Sequence, residues 1–418
     1  MKALLAAGLV LLAGVTACGG GGGAGTAGGA KQDDGTVTLD WEMWAGSEEE
    51  KAQLDHLAKL VTQQDPKIRI NLRTAPFNAY FTKLQTEFAA GEQPCVVSMQ
   101  SLRLGAYADL LEPLTAPEGF APAALDALKM NGRQLALPYD LGPMLLYYNK
   151  DAFAKAGLAE PKPGWTTADF EQAARKLTTG GKYGFGMSFS DLHLLSMLLS
   201  YNGAKPVTDD VKLQLDSEPM VAATTWYAGL AGNKAASVPA GSAELGWGET
   251  QFVNGNAMMA VDGSWNIGST IKEAKFRVGI AQLPAGSGGA KTYVANSGFG
   301  VAKGCPYKEQ AVKAVSVLSG KQAQAYLAGE GRGFPAMTSE QSAYENFLVG
   351  KNQDKADDVR AALSAVKEAV AGGVPLFTTK NWDDVTKLMA QHLLQVYTGA
   401  SGAKEALATI QQQGARGQ

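Results

Sequence analysis

Residues 36–44, TVTLDWEMW, start the pattern that decides the fold of this chain. Apolar side chains recur at every second position of this stretch, namely Val37, Leu39, Trp41 and Met43. An alternation with period two predicts a strand with one buried face. Trp41 belongs to that face, so we expect it in the core, whereas Trp44 falls in the loop that follows.

A helix and a further strand-helix-strand unit follow this strand. Ser47 and Glu50 have the spacing of a capping box, and apolar residues then recur on one helical face until Pro66. Residues 68–75 and 95–99 are predicted strands, and the helix between them is expected to be capped by Asn78 and to end at Gly91. This order is the unit of a parallel sheet, whose ligands bind beyond the carboxyl ends of the strands. Ligand-binding residues are therefore expected in the loops at 44–47, 76–80 and 100–103.

The rest of the chain continues in the α/β class. Two apolar segments within residues 133–150, separated by Pro138 to Pro143, have the pattern of strands that leave one lobe for another. Helices are predicted over 308–318, 356–370 and 383–397, and another is capped by Thr166 or Thr167. About 380 residues exceed what a single core usually holds, so two lobes are expected.

The N-terminus has the pattern of a bacterial secretion signal. Residues 3–17 carry no charge and follow Lys2, but fifteen residues are too few to span a bilayer. Val15 to Cys18 resembles the lipobox of bacterial lipoproteins. We expect a signal peptide over 1–17, a lipid on Cys18 and a flexible glycine-rich tether over 18–35. An ordinary signal peptide with an incidental cysteine is the alternative.

Net charge and hydrophobic content exclude some classes of function. The 37 basic and 40 acidic residues give a net charge of −3, which argues against nucleic acid as a partner. Hydrophobic residues make up 45% of the chain and allow a large core. After Cys18 no uncharged run reaches about 18 residues, so no later segment is expected to cross a membrane.

Motifs for catalysis are not found in the sequence. G-x-S-x-G, H-E-x-x-H and the P-loop are absent, and Ser269 to Lys272 matches S-x-x-K without its partner motifs. His56, His193 and His392 are scattered along the chain. We therefore expect no enzymatic activity, no cofactor and no metal. A glycosidase with two carboxylates stays open, since acidic residues are abundant.

Eight segments carry a resemblance to a known family. They are LDWEMWAG, FAAGEQPCVV, LALPYD, LLYYNKDAFAKAGL, GWTTADFEQAARKL, FVNGNAMMAVDGSW, QLPAG and GFGVAKG. In this order and spacing they resemble the extracellular solute-binding proteins of sugar-importing ABC transporters, the maltose-binding-protein-like family. The resemblance implies a periplasmic-binding-protein-like α/β fold with two lobes, hinge strands and a ligand cleft. The first lobe would comprise 36–140 and 288–336, and the second 141–287 and 337–418.

The resemblance also implies a function and partners. A sugar or oligosaccharide would be bound between the lobes and delivered to the permease subunits of an ABC importer. The membrane would be reached through the N-terminal lipid, and a monomer is expected. The alternative is the same fold with a peptide, a polyamine or a metal chelate as ligand, although a strongly charged ligand would need clustered opposite charge.

The cysteines depart from the family pattern. Where the family usually has Pro-Asp-Val-Val, this chain has Pro94-Cys95-Val96-Val97. With Cys18 lipidated, Cys95 and Cys305 remain as a pair in an oxidising compartment. By the family's topology Cys305 follows a strand that returns antiparallel beside Cys95. We predict a Cys95–Cys305 disulfide, with two buried free thiols as the alternative.

A sugar needs aromatic platforms for its C–H faces and hydrogen-bonding groups for its rim of hydroxyls. Trp265 is the first candidate, because VDGSW is a turn and the family places an aromatic there. Trp44 is the second. Trp247 and Trp382 are further candidates, with a core role equally open.

The remaining candidates lie in or near the expected loops. They are Glu48, Tyr80, Ser101, Arg103, Asp140, Asp262, Asn296 and Arg332. Glu48 is also placed to favour a helix start electrostatically. Asp191 and His193 flank a predicted helix start in the second lobe, where capping is the expected role of Asp191.

Overall fold

The computed structural model describes residues 27–417 of the 418-residue chain. The predicted signal peptide, the lipidation at Cys18 and the start of the predicted tether lie outside the described residues. The strands are β1 Gly29–Lys31, β2 Val37–Trp44, β3 Ile68–Ala75, β4 Val96–Gln100, β5 Lys129–Met130, β6 Arg133–Gln134, β7 Leu137–Pro138, β8 Gly142–Asn149, β9 Phe185–Gly186, β10 Ala236–Ser237, β11 Met259–Gly263, β12 Val278–Ala281, β13 Thr292–Ala295, β14 Ser297–Val301 and β15 Gly373–Pro375. The α-helices are α1 Glu48–Gln64, α2 Phe77–Ala90, α3 Leu104–Tyr107, α4 Pro122–Ala127, α5 Lys150–Lys155, α6 Thr167–Leu177, α7 Asp191–Asn202, α8 Glu218–Gly232, α9 Trp247–Val253, α10 Ile267–Glu273, α11 Lys308–Leu318, α12 Lys321–Gly329, α13 Gln341–Lys351, α14 Ala356–Ala371, α15 Trp382–Tyr397 and α16 Ala403–Gly414.

The first lobe is built on a sheet centred on β2. β3 pairs in parallel with all of β2, while β1 and β4 pair with the other edge of β2. β14 follows antiparallel to β4, and β7 antiparallel to β14. The face of β2 that carries Trp41 is buried against α1, α11 and α12, as the alternation predicts. The other face of the sheet packs against α2, which gives the lobe helices on both sides.

The second lobe is built on β8, which lies between β11 on one edge and β12 with β13 on the other. β9, β10 and β15 complete this sheet. Because side chains alternate along a strand, Leu146 enters a core with α7 and α15, and Leu145 enters a second core with α10 and α14. The two-lobe α/β architecture predicted from the sequence is confirmed.

The chain passes between the two sheets at several points. It leaves the first sheet with β7 and enters the second with β8, so the first crossing contains residues 139–141. It returns at Asn296, between β13 in the second sheet and β14 in the first. The lobe boundary expected before residue 288 is therefore too early. Thr292–Ala295 is a buried strand whose end pairs with Gly142 and Pro143 of the second lobe.

The tether predicted over 18–35 is wrong for its last residues. Gly29–Lys31 forms β1, paired antiparallel with Val37–Leu39 of β2. A Cβ on Gly29 would lie 2.2 Å from the carbonyl oxygen of Thr38, so only glycine allows this close approach. Part of the glycine-rich tract is thus an edge strand of the first lobe, because β2 offers it unpaired backbone groups.

Cys95 and Cys305 form the predicted disulfide, with their Cα atoms 5.0 Å apart and a sequence separation of 210. β14 runs antiparallel to β4, as the expected pairing required. The bond therefore closes a long loop within the first lobe, and the alternative of two free thiols is excluded.

One helix start differs from the prediction. α2 begins at Phe77 with Pro76 before it, so Asn78 lies inside the helix rather than at its cap. The fixed φ of proline suits the entry of a helix, which explains the earlier start. Among residues 27–417, no helix is both long and apolar enough to cross a membrane.

Candidate ligand-binding cleft

A cavity of about 440 Å³ lies between the two lobes. Its lining residues come from the first lobe, the crossings and the second lobe: Trp44, Gly46, Glu50, Pro76, Phe77, Gln100, Tyr139, Asp140, Trp265, Ala295, Ser297 and Arg332. A cavity of about 740 Å³ adjoins it and shares Glu50, Trp265 and Arg332. Another of about 350 Å³ shares Phe77. We call the three together the cleft.

The first-lobe wall stands at the carboxyl ends of parallel strands. Trp44 ends β2, Gln100 ends β4, and Phe77 opens the helix that follows β3. Each of the three loops that the sequence indicated therefore contributes a lining residue. This is the position at which open α/β sheets bind their ligands.

Trp265 lies in the turn Ser264–Asn266 after β11 and is 40% exposed. A Cβ on Gly142 would come 2.6 Å from its ring, and a Cβ on Gly263 would come 2.4 Å from it. The indole therefore rests on the bare backbone at the ends of β8 and β11. This seat of two glycines leaves the ring free to line the cavity, and the role of Trp265 as a sugar platform stays a prediction.

The aromatic side chains of the first-lobe wall pack against one another. Trp44 meets Phe77 and Tyr80 edge-on, with ring centroids 5.4 and 5.3 Å apart. Phe77 is 38% exposed, but Tyr80 is buried and its hydroxyl donates to the carbonyl oxygen of Ser98 at 2.8 Å. Tyr80 thus supports Trp44 from behind, and its predicted contact with ligand is wrong, because the helix directs it into the core.

Asp140 and Arg332 supply charged groups at the cavity, as predicted. The Asp140 carboxylate accepts a hydrogen bond from the Ser297 backbone N–H at 2.5 Å. Burial raises the pKa of Asp140 to about 7, although this N–H and the nearby Arg332 oppose the rise. Arg332 Nη1 lies 3.4 Å from Gln53 Oε1 and 3.8 Å from Glu50 Oε2. A carboxyl group near its pKa can donate to a sugar hydroxyl or accept from one.

Asp262 lies beneath the Trp265 turn rather than in the cleft, which corrects its predicted ligand contact. Its carboxylate accepts from the Gly263 N–H at 2.7 Å and from Asn266 Nδ2 at 2.9 and 3.1 Å. His193 Nε2 lies 3.4 Å from Asp262 Oδ1 and 3.0 Å from Glu249 Oε1. We call His193, Glu249 and Asp262 the buried triad.

The buried triad holds a charged imidazole at neutral pH. Burial alone lowers the pKa of His193, but the carboxylates of Glu249 and Asp262 outweigh it and raise the pKa to about 9. The imidazolium is therefore the cation that lies between these two carboxylates and offsets part of their negative charge. One nitrogen and two carboxylate oxygens also resemble the donor set of a metal site, yet Nε2 is already committed to the carboxylates. We assign no metal to it.

Two other predicted residues reach the edge of the cleft or stop short of it. Arg103 lines the 350 Å³ cavity, where its Nε lies 2.9 Å from Asp383 Oδ1 of the second lobe. Glu48 is the exposed first residue of α1 and does not line the cavities described above. Glu50 does so instead, and its carboxylate accepts from the Gly46 N–H at 2.6 Å. The role of Glu48 is thus that of an acidic residue at a helix N-terminus.

Ser101 and Asn296 are buried at the second crossing instead of facing ligand. The Asn296 N–H donates to Ser101 Oγ at 3.2 Å, and Asn296 Nδ2 donates to the carbonyl oxygen of Ala124 at 2.7 Å. Their predicted roles are wrong because the crossing strand packs these side chains between elements of both lobes. Both residues hold the crossing in place.

Trp382 and Trp247 do not form the second-lobe platforms considered from the sequence. Trp382 is 2% exposed, packs in the second-lobe core, and donates its indole N–H to Asp191 at 2.8 Å. Trp247 is half-buried at the start of α9 and is not among the residues that line the cleft. Trp382 therefore has a core role and also lines the 350 Å³ cavity, whereas Trp247 belongs neither to the cores described above nor to the wall of the cleft.

Several residues that line the cleft or support it were not predicted from the sequence. Phe77 and Gln100 stand in loops that the sequence indicated, and their aromatic and amide side chains are the local signal for them. Tyr139 and Ser297 lie at the crossings. Glu249 does not line the cleft, and it reaches its partners only through tertiary packing. No local signal marks these three residues.

Comparisons with known proteins agree with this geometry. The bacterial extracellular solute-binding protein family matches residues 57–356. An uncharacterized lipoprotein of Streptomyces antibioticus, from the oleD 5′ region, is 26% identical over 308 residues, which cover 68% of this chain and 67% of that protein. An ABC substrate-binding protein of Listeria monocytogenes in complex with cycloalternan has a TM-score of 0.76 and 24% identity, covering 90% and 97% of the two chains.

The cyclic alpha-maltosyl-1,6-maltose binding protein from Arthrobacter globiformis has a TM-score of 0.73 at 19% identity, covering 90% of this chain and 98% of its own. These likenesses confirm the resemblance found in the sequence and the two-lobe fold. Because the family match spans more than half of the residues, this chain belongs to the bacterial extracellular solute-binding protein family.

Proposed function

We propose that this protein is the extracytoplasmic, lipid-anchored binding component of an ABC importer and captures a sugar or oligosaccharide between its lobes. The observation that carries this proposal is the cavity between the lobes, with Trp265 on one side and Trp44 with Phe77 on the other. Asp140, Arg332 and Gln100 surround these rings with hydrogen-bonding groups. Flat apolar walls with a polar rim fit the surface of a pyranose ring.

The expected affinity follows from a few contacts. Aromatic platforms contribute about 0.5 to 1.5 kcal/mol each beyond the area that they bury. Hydrogen bonds to charged groups contribute about 1.5 to 3 kcal/mol each. Two or three contacts of each kind, together with the apolar area that the rings bury, must outweigh the cost of ordering ligand and side chains to reach the roughly −8 kcal/mol of micromolar binding. Trp265, Asp140 and Arg332 should therefore dominate.

The size of the cleft and the relatives support an oligosaccharide. The 440 Å³ cavity adjoins two further cavities, so a ligand of several rings can extend beyond the central wall. The Listeria protein was solved with cycloalternan, and the Arthrobacter protein is named for a cyclic maltose oligomer. A saccharide of this kind is the first ligand to test.

The mechanism follows from the origin of the two walls. Trp265 belongs to the second lobe, whereas Trp44 belongs to the first. A ligand that touches both walls makes its full set of contacts only when the lobes are close together. Binding therefore shifts the population towards the closed state, which the permease subunits would recognise.

Localisation and partners complete the proposal. A lipid on Cys18 would hold the protein at the outer face of the cell membrane, and the lipoprotein of Streptomyces antibioticus supports this anchor. We assign the cleft no catalytic step and no cofactor, because the matched family consists of solute-binding proteins. The protein would act as a monomer beside its permease.

Calorimetric titration with maltotriose and cycloalternan tests the function. We expect micromolar binding to at least one of them, and a gain in stability of about 2.7 kcal/mol at a ligand concentration 100 times Kd. Chromatography of the saccharide after incubation should show no new product. Failure of every tested saccharide to bind, or the release of hydrolysis products, would contradict the proposal.

A further inference from the structure

The buried triad joins three elements of the second lobe. His193 lies in the first turn of α7, Glu249 in the first turn of α9, and Asp262 near the end of β11. Neither His193 nor Glu249 is among the residues that line the cleft. A charged cluster buried this close to the binding site, without reaching it, needs a role of its own.

The triad is connected to Trp265 through Asp262. Gly263 and Asn266, which both donate to this carboxylate, stand on either side of Trp265 in the turn. The ring of His193 also meets the indole edge-on, with centroids 6.3 Å apart. Any change that moves Asp262 therefore moves both ends of the segment that presents the platform.

Asp262 in turn depends on the charge of His193. The acidic groups that face the imidazole are Glu249 from α9, Asp262 from β11 and Asp191 from its own helix. Ser188 Oγ lies 3.3 Å from Glu249 Oε1 and is a neutral partner. Without a cation between them, two buried carboxylates repel each other and favour water or separation.

We propose that His193 is a positioning residue for ligand binding, whose imidazolium between Glu249 and Asp262 fixes the turn that presents Trp265 without touching the ligand. The saccharide in this proposal rests on the proposed function. The link between the triad and Trp265 does not, and it can be measured in the free protein.

The charge of His193 gives the role a signature in pH. The Glu249 and Asp262 carboxylates hold its pKa at about 9, so the cation persists at neutral pH and is lost above that value. Loss of the cation should loosen the turn and weaken saccharide binding at alkaline pH. A histidine with only a packing role would produce no such dependence.

Nuclear magnetic resonance of the free protein tests the link. The indole N–H resonance of Trp265, assigned by its loss in Trp265→Phe, should titrate together with His193 at a midpoint of about pH 9. In Glu249→Gln both midpoints should fall by at least half a pH unit, because one of the flanking carboxylates is gone. Glu171→Gln is the matched control, since Glu171 accepts from Trp226 in the same lobe and should leave both midpoints unchanged.

Calorimetry with maltotriose at pH 7 and pH 10 completes the test. We expect the affinity of the wild type to fall about tenfold between the two pH values. The midpoint of this fall should equal that of the Trp265 resonance, and in Glu249→Gln the fall should occur at lower pH. A Trp265 resonance whose chemical shift stays constant while His193 titrates would overturn the proposal. So would a stoichiometric divalent cation in the purified protein whose removal abolishes the titration. If the resonances titrate together but no saccharide binds, only the proposed function fails.

Discussion

Trp265 and Trp382 stand at similar places in the second lobe, yet only one lines the central cavity. Each lies at or just before the start of a helix, α10 and α15 respectively. Trp265 is 40% exposed, whereas Trp382 is 2% exposed. The ring of Trp265 rests on two glycines, while Trp382 is surrounded by core side chains and donates to Asp191. A ligand platform therefore needs a seat of bare backbone beneath it and space above it.

The largest effect should come from the buried member of this pair. Trp382→Ala leaves a large cavity in the second-lobe core and should reduce the free energy of unfolding by about 3 to 5 kcal/mol. Saccharide affinity of the folded protein should change less than fivefold. Chemical denaturation and calorimetry measure the two quantities. A variant of normal stability that no longer binds would reverse the roles of the two tryptophans.

The support of Trp265 is charged, so stability should depend on pH. The folded pKa of His193, about 9, lies above the unfolded value of about 6.5, so its stabilisation is complete below about pH 6.5 and is lost as pH rises through 9. Urea denaturation at pH 7 and pH 9.5 should therefore differ by roughly 2 kcal/mol.

His193→Gln separates this effect from other titrations. The variant has no imidazole to deprotonate, so its alkaline loss of stability should be smaller than that of the wild type. Asp140 has a pKa of about 7, so its ionisation lowers the free energy of unfolding as pH rises towards neutrality. Measurements from pH 7 upward contain little of this effect. Equal losses in both proteins would mean that the buried triad does not stabilise the fold.

Removal of the exposed platform should affect binding and leave stability nearly unchanged. Trp265→Ala should weaken saccharide affinity at least tenfold, or about 1.4 kcal/mol, because the C–H face of a sugar loses its platform. The free energy of unfolding should change by less than about 1 kcal/mol, since much of the ring is exposed. Calorimetric titration gives the affinity, and an unchanged Kd would remove Trp265 from the site.

The smallest expected effect on saccharide affinity comes from the glycine seat beneath the Trp265 ring. Gly142→Ala places a Cβ 2.6 Å from the Trp265 ring, so the ring must shift, and affinity should fall about fivefold. Gly229→Ala in α8 is the matched control, because a Cβ there meets nothing within 4 Å. Equal affinities of the two variants would show that the position of the ring does not depend on the seat.

Local pattern predicted much of the fold. The alternation of β2 and the helix that stops before Pro66 both appear in the structure, and so does the Cys95–Cys305 pairing that the topology of the resembled family implied. The edge strand Gly29–Lys31 was missed, because glycine has no side chain whose pattern could reveal a strand. The second crossing was misplaced for another reason: β13 and β14 are separated only by Asn296, with no turn signal between them.

The sequence predicted site residues where a loop carries an aromatic or charged side chain that lines the cleft. It failed where tertiary packing buries the side chain. Trp44, Asp140, Trp265 and Arg332 line the cleft as expected. Tyr80 and Trp382 were predicted on the same grounds, but both are buried, because helix direction and long-range packing fix their side chains. His193 and Asp262 are 69 positions apart, so only the folded chain brings them together.

One bound saccharide should contact both lobes and draw them together. Small-angle X-ray scattering of the protein with and without saturating maltotriose measures this directly. The radius of gyration should decrease on binding in the wild type. A saccharide that binds without any decrease in the radius of gyration would contradict the claim.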